Sequence, residues 1–311
     1  MNALLDVILP VFLILGAGYF AAWKNIVDAA AVDGVMKFAQ NFAVPCLLFR
    51  SMSQLDLAQS FDPALLTSFY AGAFGAGALA YAGARLFFGR PPMDALAIAF
   101  VASFSNTLLL GLPITERAYG ADALAGNYAI IAVHSPLMYG IGISLMEILR
   151  SKGEGLAKLA LTRRVTRAIL SQPLVLGILS GFVVNLSGLP LPGVLTSAVD
   201  MMVKAAIPAA LFGLGGVLLR YRPEGDMKTI AFVCGLTLIL HPAITYGLGV
   251  LLGLSVDQMR SAVVTAAMAP GVNAFLFANM YGVAKRVAAS TVLLATGATI
   301  LTAWGWLHIL P

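Results

Sequence analysis

The chain has 311 residues, 60% of them hydrophobic and 11% charged, with a mean hydropathy of +0.91. That composition excludes a soluble globular domain, because most side chains need an apolar solvent. A net charge of +5 invites a nucleic-acid reading, but the basic residues sort by loop, which points to membrane topology and to no nucleic-acid partner.

Apolar stretches of about 20 residues suit a hydrocarbon core of about 30 Å. They are predicted at 4–23, 32–49, 64–88, 95–115, 123–149, 169–187, 194–219, 229–253, 259–281 and 287–307, an all-α polytopic membrane protein of ten spans. The first opens Met1-Asn2-Ala3-Leu4-Leu5-Asp6, without a basic leader, and reads as an uncleaved helix. Cys46 and Cys234 fall inside spans at no metal or disulfide spacing and read as small buried apolar residues.

Span two begins Ala31-Val32-Asp33-Gly34-Val35-Met36-Lys37 and runs to Val44-Pro45-Cys46. Its i,i+4 pair Asp33 and Lys37 has the spacing of a helical ion pair. Span four carries Ser105-Asn106-Thr107-Leu108-Leu109-Leu110-Gly111-Leu112-Pro113, an asparagine and a proline within apolar text. Proline removes a backbone donor and clashes with the preceding turn, freeing polar groups that lipid cannot satisfy. A helix restarted at Pro113 is expected to present free N–H groups and the positive end of its dipole. Ser103, Ser105 and Thr107 offer hydroxyls, and Gly111 permits close approach.

Span five holds His134, a hydrogen-bond partner of another helix or a titratable ligand and proton carrier. A basic segment, 150–168, follows as a linker. Span seven begins Ala198-Val199-Asp200-Met201-Met202-Val203-Lys204 and runs to Ile207-Pro208, echoing span two and repeating its pair as Asp200 and Lys204. Both pairs read as interfacial anchors or as gating and substrate-attracting groups. In span eight His241 precedes Pro242, so a local kink accounts for it. Span nine carries the second break, Met268-Ala269-Pro270-Gly271-Val272-Asn273, with Gly271 again permitting close approach.

Five helices separate the echoing spans, and an odd number inverts the second copy relative to the first. The chain is therefore expected to divide into repeats at 1–149 and 169–311, which pairs the breaks of spans four and nine. Two half-helix N-termini meeting in one gap suit a carboxylate, with Asn106 and Asn273 adding amide donors and acceptors. Fourteen basic residues fall in alternate loops, while the other loops hold only Arg50, Arg117 and Arg260. The first set is expected to face the cytoplasm, leaving both termini outside. No Asp or Glu is mid-span, which leans away from sodium coupling on buried carboxylates and toward uniport or proton coupling through His134. No catalytic, cofactor or metal motif appears, so an enzyme is not expected.

Asn106-Thr107-Leu108-Leu109-Leu110-Gly111-Leu112-Pro113-Ile114 with Ala118-Tyr119-Gly120 resembles the fourth helix of the auxin efflux carrier family, which includes the plant PIN-FORMED carriers. Phe42-Ala43-Val44-Pro45, the stretch from Tyr139 to Glu147, and Ala266-Ala267-Met268-Ala269-Pro270-Gly271 with Phe275, Ala278 and Tyr281 are similar to the same family. The resemblance implies a five-plus-five inverted repeat like that of bile-acid symporters and sodium/proton antiporters. It implies a scaffold of spans one, two, six and seven, a transport domain of spans three to five and eight to ten, elevator-type motion and a homodimer through the scaffold. Asn106, Pro113 and Pro270 take the family's crossover roles, and Tyr139 lies in the matching text of span five. Plant members have a glutamine at the position of His134, a second proline at that of Asn273, and a long insertion where this chain has a compact linker. The compact form is that of bacterial relatives associated with malonate and malate, so a bacterial inner-membrane carrier of small organic anions in contact with lipid is implied. The alternatives are an auxin-like aromatic carboxylate as substrate, or a membrane-embedded receptor or gated channel.

Overall fold

A computed structural model describes residues 3–150, 158–188 and 190–311, and among them the regular structure is helical throughout. Lys152 and the other residues of 151–157 lie outside the described residues. The helices are α1 (Leu4–Trp23), α2 (29–54), α3 (Pro63–Leu86), α4 (Pro92–Ser103), α5 (107–119), α6 (Ala121–Arg150), α7 (Lys158–Leu170), α8 (Pro173–Ser187), α9 (Gly193–Leu218), α10 (Met227–Leu251), α11 (Val256–Ala266), α12 (Val272–Tyr281) and α13 (Lys285–Ile309). Six of these, α1, α3, α6, α9, α10 and α13, are long and apolar enough to cross a membrane. A seventh candidate is α7 with α8, which meet at an 81° bend. The chain is a polytopic membrane protein, and large apolar side chains such as Leu13, Phe42, Leu186 and Leu301 stand exposed on its outer faces.

Helix starts follow local chemistry. Asp28, Asp62 and Asp226 accept from the first backbone N–H groups of α2, α3 and α10, and Ser255 closes a capping box with Gln258 at α11. Pro63, Pro92 and Pro173 occupy the first helical position, where no donor is lost. The Asp226 carboxyl is held below its usual range, first by the Thr229 hydroxyl at 2.6 Å and then by backbone N–H groups and Arg90.

Four of the prolines inside the spans follow π-turns, whereas Pro136 and Pro208 lie within continuous α-helix. Pro10, Pro45, Pro113 and Pro242 each lie two residues beyond such a turn, at Ala3–Ile8, Ala39–Ala43, Thr107–Gly111 and Leu236–Leu240. The wider turn absorbs the ring and the missing N–H without ending the helix. Pro113 therefore does not begin a helix. The expected restart there is corrected to Thr107, six residues earlier.

Two sets of helices pack most closely within themselves: α1 on α9 and α2 on α8 and α9 form one, while α3, α4, α6 and α10 to α13 form the other. Small residues permit the closest crossings. A Cβ on Gly18 or Gly215 would collide with the backbone of Phe212 or Leu15, and one on Gly177 or Gly181 with that of Pro45 or Phe49.

Asp33 binds Arg220 at 2.8 Å, and Asp200 binds Arg50 at 2.7 Å. The expected i,i+4 pairs with Lys37 and Lys204 are thus corrected, because α9 runs antiparallel to α2, so Arg220 beyond the end of α9 meets Asp33 near the start of α2 and Arg50 near the end of α2 meets Asp200 of α9. The forked guanidinium outcompetes a lysine on the same helix. Five ion pairs each join groups at one predicted side: Arg90 to Asp226, Arg164 to the buried Glu147 and Arg220 to Asp33 at the basic end, Arg50 to Asp200 and Arg260 to Asp257 at the other. Within and beyond the expected linker segment, α7 runs to Leu170 and α8 begins at Pro173.

Gly215→Leu should separate α1 from α9 and lower the unfolding midpoint in detergent, an overpacking loss of about 1–3 kcal/mol or more. Gly297→Leu, on an open face of α13, should leave the midpoint unchanged.

Candidate functional site

The breaks of α4–α5 and α11–α12 lie against each other. Ser105 and Pro270 form an isolated antiparallel bridge. Across it the Asn106 N–H donates to the Ala269 carbonyl at 2.8 Å, and the Gly271 N–H donates to the Phe104 carbonyl at 3.2 Å. Each interruption thereby satisfies backbone groups that the other frees.

Both second halves start at this point. Asn106 is the N-cap of α5, its Oδ1 accepting from the Leu109 N–H at 3.2 Å, while its carbonyl accepts from Leu110 and Gly111. Gly271 is the N-cap of α12, where no side chain caps the first turn. Two positive helix ends therefore converge.

They border a cavity of about 370 Å³. Ser105, Asn106 and Thr107 line one wall, Gly271, Val272 and Asn273 another, and Tyr139 and Ser135 of α6 a third. The Tyr139 hydroxyl donates to the Asn273 carbonyl at 3.3 Å, tying α6 to the start of α12. Among the described residues no charged side chain lines the cavity; its polar groups are amides, hydroxyls and backbone. Ser105 Oγ is buried without a hydrogen-bond partner among the described residues.

Several expected residues lie outside it. Pro113 is buried within α5, Gly111 packs beside Thr265, and Pro270 contributes through the bridge rather than as lining. An added Cβ at Gly111 or Gly271 would meet protein atoms only at ordinary distances, 3.5 and 3.7 Å, so neighbouring backbone does not require glycine there. Ser103 turns its hydroxyl back to the Ala99 and Phe100 carbonyls. Of the charged pairs, neither Asp33 and Lys37 nor Asp200 and Lys204 reaches the crossing.

His134 sits behind the cavity, fully buried, its ring 4.6 Å from that of Phe104 and 5.7 Å from that of Phe69. Among the described residues neither ring nitrogen makes a hydrogen bond of good geometry, although the Ser105 backbone lies close enough to interact with the ring. His241, against the same Phe69, does reach another helix through the Phe69 carbonyl at 3.2 Å.

Sequence reasoning missed the contribution of α2 and of the α7–α8 corner. Gln40 and Asn41, two adjacent amides inside an apolar span, line the cavity, as do Ser171 and Gln172. The Gln40-Asn41 pair was the available signal. Also missed was a buried clasp in which Asn127 Nδ2 donates to the Thr115 and Thr265 hydroxyls at 3.1 and 2.8 Å, joining α6, α5 and α11.

A family model described as Membrane transport protein matches residues 3–307. The chain belongs to that family. It is the auxin efflux carrier family that the text of spans four and nine resembles. Similar family members include a Rhizobium meliloti (strain 1021) protein named "Putative malonate transporter", 25% identical over 316 residues covering 100% of this chain and 97% of that one. The transporter YfdV of Escherichia coli K12 is 22% identical over 97% of this chain and 96% of its own. Auxin efflux carrier component 5 of Arabidopsis thaliana is 31% identical over 121 residues, 38% of this chain and 34% of that protein. The family's members are named as transporters, and the compact length of this chain is that of the microbial ones.

Asn106→Ala should destabilise the protein by about 1 kcal/mol through the lost cap on Leu109, whereas Asn106→Ser, which keeps a capping oxygen, should unfold close to the wild type in a detergent melt.

Proposed function

We propose that this membrane transporter is a secondary carrier of small organic anions of the malonate or malate type. The carrying observation is the convergence of two half-helix N-termini, with Asn106 and Asn273, on a cavity without charged side chains. A carboxylate would receive N–H donors and two positive dipole ends there, and would not need a buried arginine. Ser105, Thr107 and Tyr139 would add hydroxyls. The Rhizobium relative's name supports the substrate class.

The architecture we propose is two inverted five-helix repeats, 1–149 and 169–311, with ten spans in which α4–α5 and α11–α12 each count as one. The crossed Asp33–Arg220 and Asp200–Arg50 pairs support it, because a two-fold operation that exchanges α2 with α9 exchanges one pair for the other. The set of α1, α2, α8 and α9 would be a scaffold and the remaining spans a transport domain moving past it, with the cavity at their boundary. The exposed apolar face around Leu176, Leu179 and Val183 is where a scaffold dimer would form. The basic loops would face the cytoplasm of a bacterium and both termini the periplasm.

Reconstituted protein should take up malonate or a similar small dicarboxylate with saturable counterflow. Asn106→Ser should lower the transport efficiency by about tenfold or more, the size of one lost hydrogen bond to a charged group. Equal flux of all carboxylates in wild type and variant would overturn the site.

His134 supports proton coupling, being a buried imidazole beside the Ser105 backbone and the Phe104 ring, behind the cavity. Uptake driven by an imposed proton gradient should lose its pH dependence in His134→Gln, and unchanged pH dependence would reject this role.

A further inference from the structure

A second cavity, about 580 Å³, opens where α2, the end of α9 and the start of α13 meet. Five cations, Lys37, Arg220, Arg222, Lys285 and Arg286, line it against two carboxylates, Asp33 and Glu224. Asp33 is taken by Arg220. Among the described residues the other four cations make no ion pair.

The positive-inside rule accounts for the end of the molecule at which these residues lie, but not for their convergence on one cavity. Lys285 and Arg286 occupy the first two positions of the 25-residue α13, where the helix dipole disfavours cations. The helix has no side-chain cap, and its N-cap Ala284 is held at φ +48°, a left-handed conformation that alanine adopts rarely. Four unpartnered cations, an uncapped helix start and a strained turn share one concave surface.

That surface is continuous with the crossing. Gln40, Val272 and Leu276 line both cavities, so a solute leaving the basic one meets the first turn of α12 and then Asn273. We infer that the basic cavity is a capture vestibule for dianionic substrate, in which Lys37, Arg222, Lys285 and Arg286 concentrate a small dicarboxylate before it reaches the uncharged crossing. This rests on the carrier reading above and deepens it. The crossing can orient one carboxylate through neutral donors, whereas the vestibule favours the substrate with the larger charge. Attraction of this kind acts on encounter and is screened by salt.

The test reads the vestibule without transport. In a Cys46→Ala, Cys234→Ala background, Ala289→Cys places a thiol in the cavity wall. At low ionic strength, in vesicles of neutral lipid, an anionic thiol reagent should label it about tenfold faster than a cationic reagent of the same size. Lys285→Gln with Arg286→Gln should remove that preference, and malonate should slow labelling more than chloride of equal ionic strength. In flux measurements the same double variant should raise KM severalfold from the vestibule's face, leave kcat and the opposite face unchanged, and converge with wild type in high salt. Equal labelling by both reagents, an unaltered preference in the double variant, protection by anionic lipid but not by malonate, or a KM change equal at both faces would each overturn the vestibule. Retained reagent preference and malonate protection in a protein that moves no carboxylate would support the vestibule and reject the carrier reading.

Discussion

Two backbone hydrogen bonds, Asn106 N–H to Ala269 and Gly271 N–H to Phe104, hold the centre of this protein together. In an apolar surrounding a broken helix is tolerable only if its freed donors and acceptors find partners, and each unsatisfied group costs several kcal/mol. Here each break is the other's partner. Neither α4–α5 nor α11–α12 could be interrupted alone at this depth without leaving orphaned groups, which makes the two breaks a single structural unit.

The rest follows from that exchange. Because α5 and α12 both begin at the crossing, their first turns face a common space, and Asn106 and Asn273 stand beside it. The Asn127 clasp with Thr115 and Thr265 and the Tyr139 bond to Asn273 lock α6 to the same unit. On the proposed reading, any movement of the crossing must carry these helices together, since parting them would break buried hydrogen bonds. The tight glycine contacts of α1 with α9 and α8 with α2 make the facing set comparably stiff. On the same reading, the cavity at the boundary and the proposed basic vestibule would separate two tasks: charge would gather the anion, and neutral dipoles would hold it.

Much of this was legible in the residues. Pro113, Pro270, Asn106 and Asn273 marked the breaks because proline and amides are costly in an apolar span unless the backbone there is interrupted. The partition of basic residues among loops matched the ion pairs, since charged groups at membrane edges meet only neighbours at the same edge. The exact restart of α5 was not legible: a π-turn before Pro113 keeps the helix continuous, and periodicity does not reveal a π-turn. Spacing also suggested the wrong partners for Asp33 and Asp200, because i,i+4 geometry is local and Arg220 and Arg50 arrive from a helix more than a hundred residues away. Gln40 and Asn41 were visible as polar residues, but only the packing of α2 on the crossing gives them a cavity to line.

The central claim is that the converging starts of α5 and α12 bind a carboxylate. The most direct measurement is an experimental structure of the protein in lipid with malonate bound. Ligand density is expected within hydrogen-bond distance of the Asn106 side chain and the first backbone N–H groups of α12. Density confined to another cavity, with water alone at the crossing, would contradict it.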